Sequence, residues 1–303
     1  MKRRLCLGAI AALLALTASA CGGSDDGGGS GGSDKSDSAS SGAESFEQPF
    51  DDVKAYPVFA SSEVVEGENR FLIGLLNDED APISSPDISM HVAFFDLAES
   101  AEEPAFETDA EFIDTGPRGL YVTYPTFDSA GRWGAEVTVS GDGLDETVRA
   151  GFDVGKDGTT PAIGEPAPAS KTLTASGRKL EKITTDTKPD PDFYESSIHE
   201  AVEKGDPFVV TFATPKFCTS AVCAPTLDIV KKESKDWPQV EFIHVEVYEN
   251  LDDPSNLKPV PAVKEWGLPS EPWVFVVDAK GKVAAKFEGT VSPQELKEAL
   301  ADV

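Results

Sequence analysis

Two cysteines, Cys218 and Cys223, are the residues of this chain best suited to carry chemistry. The sequence holds four cysteines, and the other two, Cys6 and Cys21, lie at its N-terminus. A deprotonated thiol is a nucleophile that attacks disulfides, and a second thiol within about 6 Å (Cα to Cα) can then close a new disulfide. The short spacing between Cys218 and Cys223 makes this thiol–disulfide chemistry feasible.

The N-terminus predicts export. Lys2, Arg3 and Arg4 form a basic region, residues 5–16 are an apolar run broken only by Gly8, and small residues follow up to residue 20. The run is shorter than the roughly 20 apolar residues of a membrane-spanning helix. Residues 1–20 are therefore predicted to be a secretory signal peptide that is removed.

The end of this signal, Leu-Thr-Ala-Ser-Ala-Cys at residues 16–21, resembles a bacterial lipobox, although Ala18 stands where the box usually has Leu. The resemblance implies cleavage before Cys21 and lipidation of its thiol. The alternative is an ordinary secretory signal with an incidental cysteine. Residues 21–45 are mostly Gly, Ser, Asp and Ala, which predicts a disordered tether and favours an anchor in the bacterial cell membrane.

Cysteine counting then predicts one disulfide. Cys6 leaves with the signal and Cys21 carries lipid, so Cys218 and Cys223 remain as a pair in an oxidising compartment. A purely structural bridge is the alternative. Because a bridge spanning so few residues adds little stability through loop entropy, a redox role is favoured.

The charge of the chain argues against polyanionic ligands. The formal net charge is −28, and removal of the three basic residues of the signal leaves 23 basic against 54 acidic residues, or −31. A surface this negative repels phosphate backbones and anionic lipid headgroups. Nucleic-acid binding is therefore not expected.

Residues 46–158 are predicted to be an all-β, immunoglobulin-like sandwich, because short β-branched and aromatic runs alternate with turn clusters. Residues 130–137, with Trp133, resemble the penultimate turn and strand of bacterial extracytoplasmic immunoglobulin-like domains, in which the Trp fills the core. Alternation at Met90 and His91 places one inside and the other outside, so no metal site is expected. The β-rich runs lie at residues 70–76, 90–97, 119–124, 134–140 and 148–154.

A Pro/Gly-rich linker at residues 159–170 precedes a second domain at residues 171–303, which has a mixed α/β pattern. Capping-box spacing at Ser197 and at Ser292 predicts helices that end near Gly205 and Ala301. Strands are predicted at residues 207–214, 240–247, 273–277 and 283–287, with a helix at residues 225–234.

This order of elements is similar to the thioredoxin superfamily over roughly residues 164–303. The motifs are Gly-Glu-Pro-Ala-Pro at 164–168, like the opening segment of redoxin and TlpA-type domains, Phe-Ala-Thr-Pro-Lys-Phe-Cys at 212–218, and Glu271-Pro272 before the third strand. The resemblance implies a thioredoxin-like α/β fold and a cis peptide bond at Pro272, with this proline facing the cysteines.

The spacing of the cysteines differs from the family's usual C-x-x-C. Either Cys218 attacks and Cys223 resolves, or Cys223 and Thr226 occupy the C-x-x-C slot. Pro225 favours the second register, whereas the distance from the preceding strand favours Cys218 as the attacking thiol. The positive end of a helix and the nearby Lys216 would lower the pKa of that thiol.

The expected function is a thiol–disulfide oxidoreductase, tethered outside the cytoplasm, without a cofactor. Its partners would be exported proteins with cysteines or a membrane redox partner, and the sandwich would act as a spacer or docking module. One alternative is a Sco-like copper assembly factor that uses Cys218, Cys223 and His244, although a histidine within a strand is more often a core residue. Another is a non-catalytic binding lipoprotein with a thioredoxin fold.

Overall fold

The computed structural model describes residues 46–303, with residues 48, 51 and 115–118 left out. The signal peptide, the tether and Cys21 lie outside the described residues. The predictions made for them stay predictions. Within the described part of the chain, no helix has both the length and the apolar character needed to cross a bilayer.

The described residues form two domains. The strands of the first, the sandwich domain, are β1 Ala55–Phe59, β2 Gly67–Glu68, β3 Phe71–Asn77, β4 Ser89–Asp96, β5 Phe106–Ile113, β6 Leu120–Thr123, β7 Thr126–Phe127, β8 Gly131–Gly141 and β9 Leu144–Val154. The strands of the C-terminal domain are β10 Phe208–Ala213, β11 Glu241–Glu246, β12 Tyr248–Glu249, β13 Lys258–Pro259, β14 Trp273–Val277 and β15 Val283–Glu288. Its α-helices are α1 Ile198–Lys204, α2 Cys223–Glu233, α3 Pro261–Glu265 and α4 Pro293–Ala301, with 3₁₀ turns at Leu180–Lys182, Pro191–Tyr194, Ser234–Asp236 and Pro254–Asn256.

The strand order of the sandwich domain is that of an immunoglobulin-like fold. Its sheet runs β1-β3-β6-β5-β4-β8-β9, which reproduces the ABED and CFG sheets of a constant-type immunoglobulin domain. The strand β5 joins the two sheets, because its first half pairs with β4 and its second half with β6. The predicted all-β sandwich is confirmed.

Alternating side chains from both sheets build one core in the sandwich domain. Phe71 on β3, Val92 on β4 and Trp133 on β8 belong to the same buried cluster. Trp133 is 2% exposed and its indole N–H donates to the backbone oxygen of Ser129 at 3.0 Å. The predicted alternation at β4 also holds, since Met90 is buried and its neighbour His91 is exposed.

The sequence analysis did not predict the two longer strands β1 and β5 or the two-residue strands β2 and β7. Pro57 lies within β1, and proline normally argues against a strand; the position is tolerated because β1 is at the edge of the sheet. In β5, Glu107, Asp109 and Glu111 alternate with less exposed neighbours. Because these three residues are charged, the sequence of β5 lacks the β-branched and aromatic run that predicts other strands of the domain. The charged side chains all lie on the exposed face of β5.

The C-terminal domain is a four-stranded mixed sheet with helices on both faces. The strand order is β11-β10-β14-β15, with β10 parallel to β11 and antiparallel to β14. All six residues of β10 are buried, as the continuous apolar run predicts. One face packs on α1 and α3, and the other packs on α2 and α4.

Helix ends in this domain follow the predicted capping signals in two cases and differ in a third. Ser197 and Ser292 each cap a helix through a complete capping box. The helix α2, however, begins at Cys223 rather than at Pro225. Pro225 is accommodated in the first turn, where backbone N–H groups have no partner within the helix.

The connecting segment at residues 159–170 is hydrogen-bonded to the C-terminal domain. Backbone N–H groups of Gly164 and Ala167 donate to the carbonyls of Val283 (2.7 Å) and Gly281 (2.9 Å). Pro166 also forms an isolated bridge with Lys282. The segment therefore lies along the beginning of β15, where it covers a sheet edge that would otherwise expose unpaired backbone groups.

Candidate active site around the Cys218–Cys223 disulfide

The two cysteines of the C-terminal domain are joined by a disulfide. Their Cα atoms are 6.0 Å apart across a sequence separation of 5. This separation lies within the range that ordinary disulfides occupy. The loop between them turns through Ala221, which has a φ of 62°.

The two sulfur atoms differ in exposure and in position along the chain. Cys218 lies in the turn after β10 and is partly exposed, whereas Cys223 is the first residue of α2 and is 0% exposed. The helix position thus belongs to Cys223, with Thr226 fully buried one turn later, while the accessible sulfur belongs to Cys218. The position of Cys223 at the helix start agrees with the register in which Cys223 and Thr226 occupy the C-x-x-C slot. The exposure of Cys218 agrees with the register in which Cys218 is the attacking thiol.

The start of α2 can stabilise a thiolate on Cys218. The backbone N–H of Cys223 donates to Sγ of Cys218 at 3.3 Å, and the hydroxyl of Ser220 lies 3.2 Å from the same sulfur. The free N–H groups and the dipole of a helix N-terminus favour negative charge nearby. After reduction, the same groups would favour the thiolate form of Cys218.

Lys216 is exposed in the turn that leads to Cys218. Its ammonium group lies 5.2 Å from the centre of the Phe217 ring, an arrangement suited to a cation–π contact. Its backbone N–H donates to Oγ1 of Thr185 at 3.2 Å, which holds the turn in place. The predicted electrostatic role of the Lys216 side chain stays a prediction.

Pro272 is preceded by a cis peptide bond, as the sequence resemblance implied. It comes directly before Trp273, which pairs with Phe212 near the end of β10, so Pro272 lies at the sheet end from which the cysteine turn departs. The carbonyl of Pro272 accepts a hydrogen bond from the N–H of Gly289 at 2.8 Å. The carbonyl of Gly289 in turn accepts from Oγ1 of Thr226 at 3.2 Å, which connects Pro272 to α2.

His244 is a buried member of the sheet. Its Nε2 lies 3.1 Å from the carbonyl oxygen of Ala213, and its Nδ1 lies 2.7 Å from the hydroxyl of Tyr194. Since a carbonyl only accepts, Nε2 carries the proton and Nδ1 accepts from Tyr194. Burial lowers the pKa of His244 to about 4, so the ring is neutral at pH 7.

These contacts argue against the copper alternative, because both ring nitrogens of His244 already have partners within the protein. Among the described residues, no group of three or more His, Cys, Asp and Glu side chains is arranged to hold a metal ion. The core role of a strand histidine is the one that the geometry supports.

The family comparison identifies the domain that carries these groups. Residues 194–303 match the family model of the thioredoxin-like domain, and the match contains Cys218, Cys223 and Pro272. The C-terminal domain is thioredoxin-like. With the sandwich domain described above, the predicted fold class is therefore confirmed for both parts of the chain. No curated protein matches the sequence.

Solved structures resemble the chain only weakly. The Lin-41 filamin domain is 14% identical with a TM-score of 0.20, and the match covers 35% of this chain and 95% of that one. The Escherichia coli adhesin FdeC is 14% identical with a TM-score of 0.22, and the match covers 40% of this chain and 37% of that one. At these values neither likeness carries an argument about function.

Glu246 is a site residue of the thioredoxin-like domain that the sequence analysis missed. Its carboxylate accepts hydrogen bonds from the backbone N–H and the hydroxyl of Thr185, both at 2.7 Å. The same hydroxyl accepts from Lys216, so Glu246 supports the turn before Cys218. Burial raises the pKa of Glu246. An acidic residue at the end of the buried run 242–247 was the available signal.

Proposed function

We propose that this protein is a thiol–disulfide oxidoreductase whose reactive groups are Cys218 and Cys223. The observation that carries the proposal is the unequal exposure of two disulfide-bonded sulfurs at the start of α2 in a thioredoxin-like domain. The accessible sulfur of Cys218 can meet a partner, while the buried sulfur of Cys223 is held where it can resolve the mixed disulfide.

In the reductive direction, the thiolate of Cys218 attacks one sulfur of a partner disulfide. The Cys218–partner bond forms, the partner's disulfide breaks, and its other sulfur leaves and takes up a proton. Cys223 then loses its proton and attacks Sγ of Cys218, which closes the Cys218–Cys223 bond and releases the second partner thiol. Two electrons pass to the partner, and the reverse sequence oxidises a partner dithiol.

Trapping of a mixed disulfide tests this assignment. The reduced Cys223→Ser variant lacks the resolving thiol, so it should accumulate a covalent complex with disulfide-containing exported proteins. The complex should survive non-reducing electrophoresis and dissociate when dithiothreitol is added. Mass spectrometry should locate the linkage at Cys218.

Cys218→Ser is the matched control. It retains Cys223, but a fully buried thiol meets partners poorly, so we expect its trapped complex to be weaker by about tenfold or more. Equal trapping by the two variants would contradict the division of roles. An absence of trapping by both, together with a disulfide that resists glutathione, would leave a structural bridge in a non-catalytic binding protein.

The location and partners of the protein are part of the same proposal. Export by the signal at residues 1–20 and lipidation of Cys21 would anchor the chain to the cell membrane on the extracytoplasmic side. Its redox partners would then be exported proteins with cysteines or a membrane redox protein. The formal charge of −28 supports partners other than nucleic acid.

A further inference from the structure

The strand β3 of the sandwich domain is preceded by an arginine that reaches into the thioredoxin-like domain. Nε and Nη2 of Arg70 donate to the two carboxylate oxygens of Glu295, at 2.5 and 3.1 Å, and Nη1 donates to the carbonyl of Glu288 at 3.0 Å. The side chains of Arg70 and Glu295 are each 9% exposed. A bidentate pair of this kind fixes both position and orientation.

The carbonyl that Arg70 holds belongs to the peptide unit that contacts Pro272. This unit consists of the carbonyl of Glu288 and the N–H of Gly289, and the N–H donates to the carbonyl of Pro272 at 2.8 Å. Because a peptide unit is planar, a donor that fixes its oxygen also directs its N–H. Hydrogen bonds in series also polarise one another.

The next carbonyl continues the connection to the cysteines. The oxygen of Gly289 accepts from the hydroxyl of Thr226, which lies one turn after Cys223 in α2. Gly289 has a φ of 69°, and Leu72 of the sandwich domain packs beside it, with Cδ1 3.5 Å from the position that a Cβ atom would take. The sandwich thus contacts the segment that holds α2 and Pro272 together.

The carboxylate of Glu288 makes a second connection on the same segment. It accepts from the backbone N–H of Ser62 in the sandwich domain, at 2.8 and 2.9 Å, and from the hydroxyl of Ser270 at 2.8 Å. Ser270 lies two residues before Pro272 and accepts from the indole N–H of Trp273 at 3.1 Å. The sandwich domain therefore contacts Glu288 at two groups, the backbone carbonyl through Arg70 and the side-chain carboxylate through Ser62. The peptide unit of that carbonyl and the carboxylate are both hydrogen-bonded to the Pro272 segment.

We infer that Arg70 is a positioning residue for the Cys218–Cys223 site, acting through the Glu288–Gly289 peptide. The inference deepens the proposed function and rests on it. In the oxidised state the disulfide itself constrains the turn and the start of α2. In the reduced state that constraint is absent, so the dithiol form depends more on the contacts that Arg70 supports. Loss of Arg70 should destabilise the reduced form more than the oxidised form.

The test compares Arg70→Gln with the wild-type full chain, in detergent, in glutathione buffers of varied ratio. The variant should stay oxidised under more reducing conditions, with the equilibrium constant shifted by about threefold, which corresponds to about 14 mV for a two-electron couple. Arg149→Gln is the matched control, because Arg149 pairs with Glu136 within the sandwich at 2.6 Å. It should leave the equilibrium unchanged.

Unfolding free energies of the oxidised and reduced forms give an independent readout. A merely structural Arg70 would lower both by the same amount, and the glutathione equilibrium would not move; this result, or a shift toward the reduced form, overturns the inference. If the wild-type disulfide fails to exchange with glutathione, the proposed function fails, while the two unfolding measurements still decide the role of Arg70.

Arg70→Lys covers the case in which Arg70→Gln does not fold. A lysine keeps the charge beside Glu295 but cannot hold the carboxylate in a fork and the Glu288 carbonyl together. It should shift the equilibrium in the same direction by a smaller factor. An unchanged equilibrium in a folded Arg70→Lys protein that has lost the Glu288 contact would also overturn the inference.

Discussion

Cys218 and Cys223 are bonded to each other but have different surroundings. Cys223 is buried because it begins a helix that packs on the sheet, whereas Cys218 remains in the turn before that helix. The sequence left open which of them takes the helix position. In the structure, Cys223 takes the helix position, because α2 begins at Cys223 and Pro225 fits inside the first turn rather than at its start.

His244 should make the stability of the protein depend on pH in the acid range. Its pKa is about 4 in the folded state against 6.5 as the ordinary value, so the unfolded chain takes up the proton first. The contribution of neutral His244 to the free energy of unfolding is present above pH 6.5 and is lost as the pH falls toward 4. His244→Gln should flatten this slope and, through lost hydrogen bonds, lower stability at pH 7 by about 1–2 kcal/mol.

Urea denaturation at several pH values between 7 and 4 measures this effect, and His91→Gln is its control. Asp109 raises the pKa of His91 through a hydrogen bond at 2.8 Å. Its contribution has the opposite sign, since it is present at low pH and is lost as the pH rises through the folded pKa. Parallel slopes for wild type and His244→Gln would show that His244 is not held neutral.

At the scale of elements, local sequence signals predict where a helix begins and ends, but they do not predict which residues that helix contacts. Ser292 and Glu295 form the capping box that the sequence predicts for α4. The same Glu295 also binds Arg70 and accepts from the hydroxyl of Tyr124 at 2.7 Å. Burial opposes its charge, but the hydrogen bonds from Arg70 and the other donors outweigh burial and lower its pKa. Nothing in the local pattern of residues 292–301 indicates this second role.

Gly267 should be sensitive to a methyl group because a neighbouring segment approaches it closely. It has a φ of 60°, and a Cβ atom there would overlap the carbonyl oxygen of Thr159 in the connecting segment. A left-handed conformation costs an L-residue about 1–2 kcal/mol, and relief of the overlap should add roughly 1–3 kcal/mol. Gly267→Ala should therefore lower the free energy of unfolding measured with urea by several kcal/mol.

Gly281→Ala separates the two causes of that loss. Gly281 also has a positive φ, at 73°, but its nearest neighbour, Cγ1 of Val202, is 3.8 Å from the Cβ position. It should show only the conformational cost of about 1–2 kcal/mol. Equal losses in the two variants would mean that the overlap of the added methyl group with the Thr159 carbonyl is relieved without cost.

For the molecule as a whole, the contact between the domains includes ionised and hydrogen-bonded groups. Glu63 of the sandwich domain binds Lys286 of β15 at 2.7 Å and accepts from the backbone N–H of Thr160 at 3.0 Å. Burial opposes the charge of Glu63, but hydrogen bonds to Lys286 and Thr160 lower its pKa to about 2. The sandwich domain is thus attached along β15 by ionised and hydrogen-bonded groups, in addition to its covalent connection.

The proposed anchor predicts where the whole molecule is found in a bacterial cell. Cys21→Ser should leave export intact but abolish lipidation, so the protein should move from the membrane fraction to the soluble extracytoplasmic fraction. Cys6→Ser, which changes a cysteine within the signal, should leave the protein membrane-bound. Radiolabelled fatty acid should be incorporated into wild type and Cys6→Ser alone; equal labelling of Cys21→Ser would contradict the lipobox assignment.

The sequence by itself determined the features that depend on neighbouring residues. Periodicity, capping signals and apolar runs predicted the helix ends at Ser197 and Ser292, the buried strand β10 and the fold class of each part. The cis bond at Pro272, which the structure contains, was implied by the resemblance to the thioredoxin superfamily. The helix ends and the buried strand follow from local backbone and side-chain chemistry, which the order of residues encodes directly.

Only the tertiary structure decided which cysteine is buried, that burial keeps His244 neutral, and how Arg70 reaches the Pro272 segment. Arg70 and Glu295 are separated by 225 positions, and no local pattern relates residues so far apart. Burial, pKa shifts and contacts between domains arise when packing excludes water from particular side chains. They are properties of the folded arrangement, and one sequence read in short windows does not contain them.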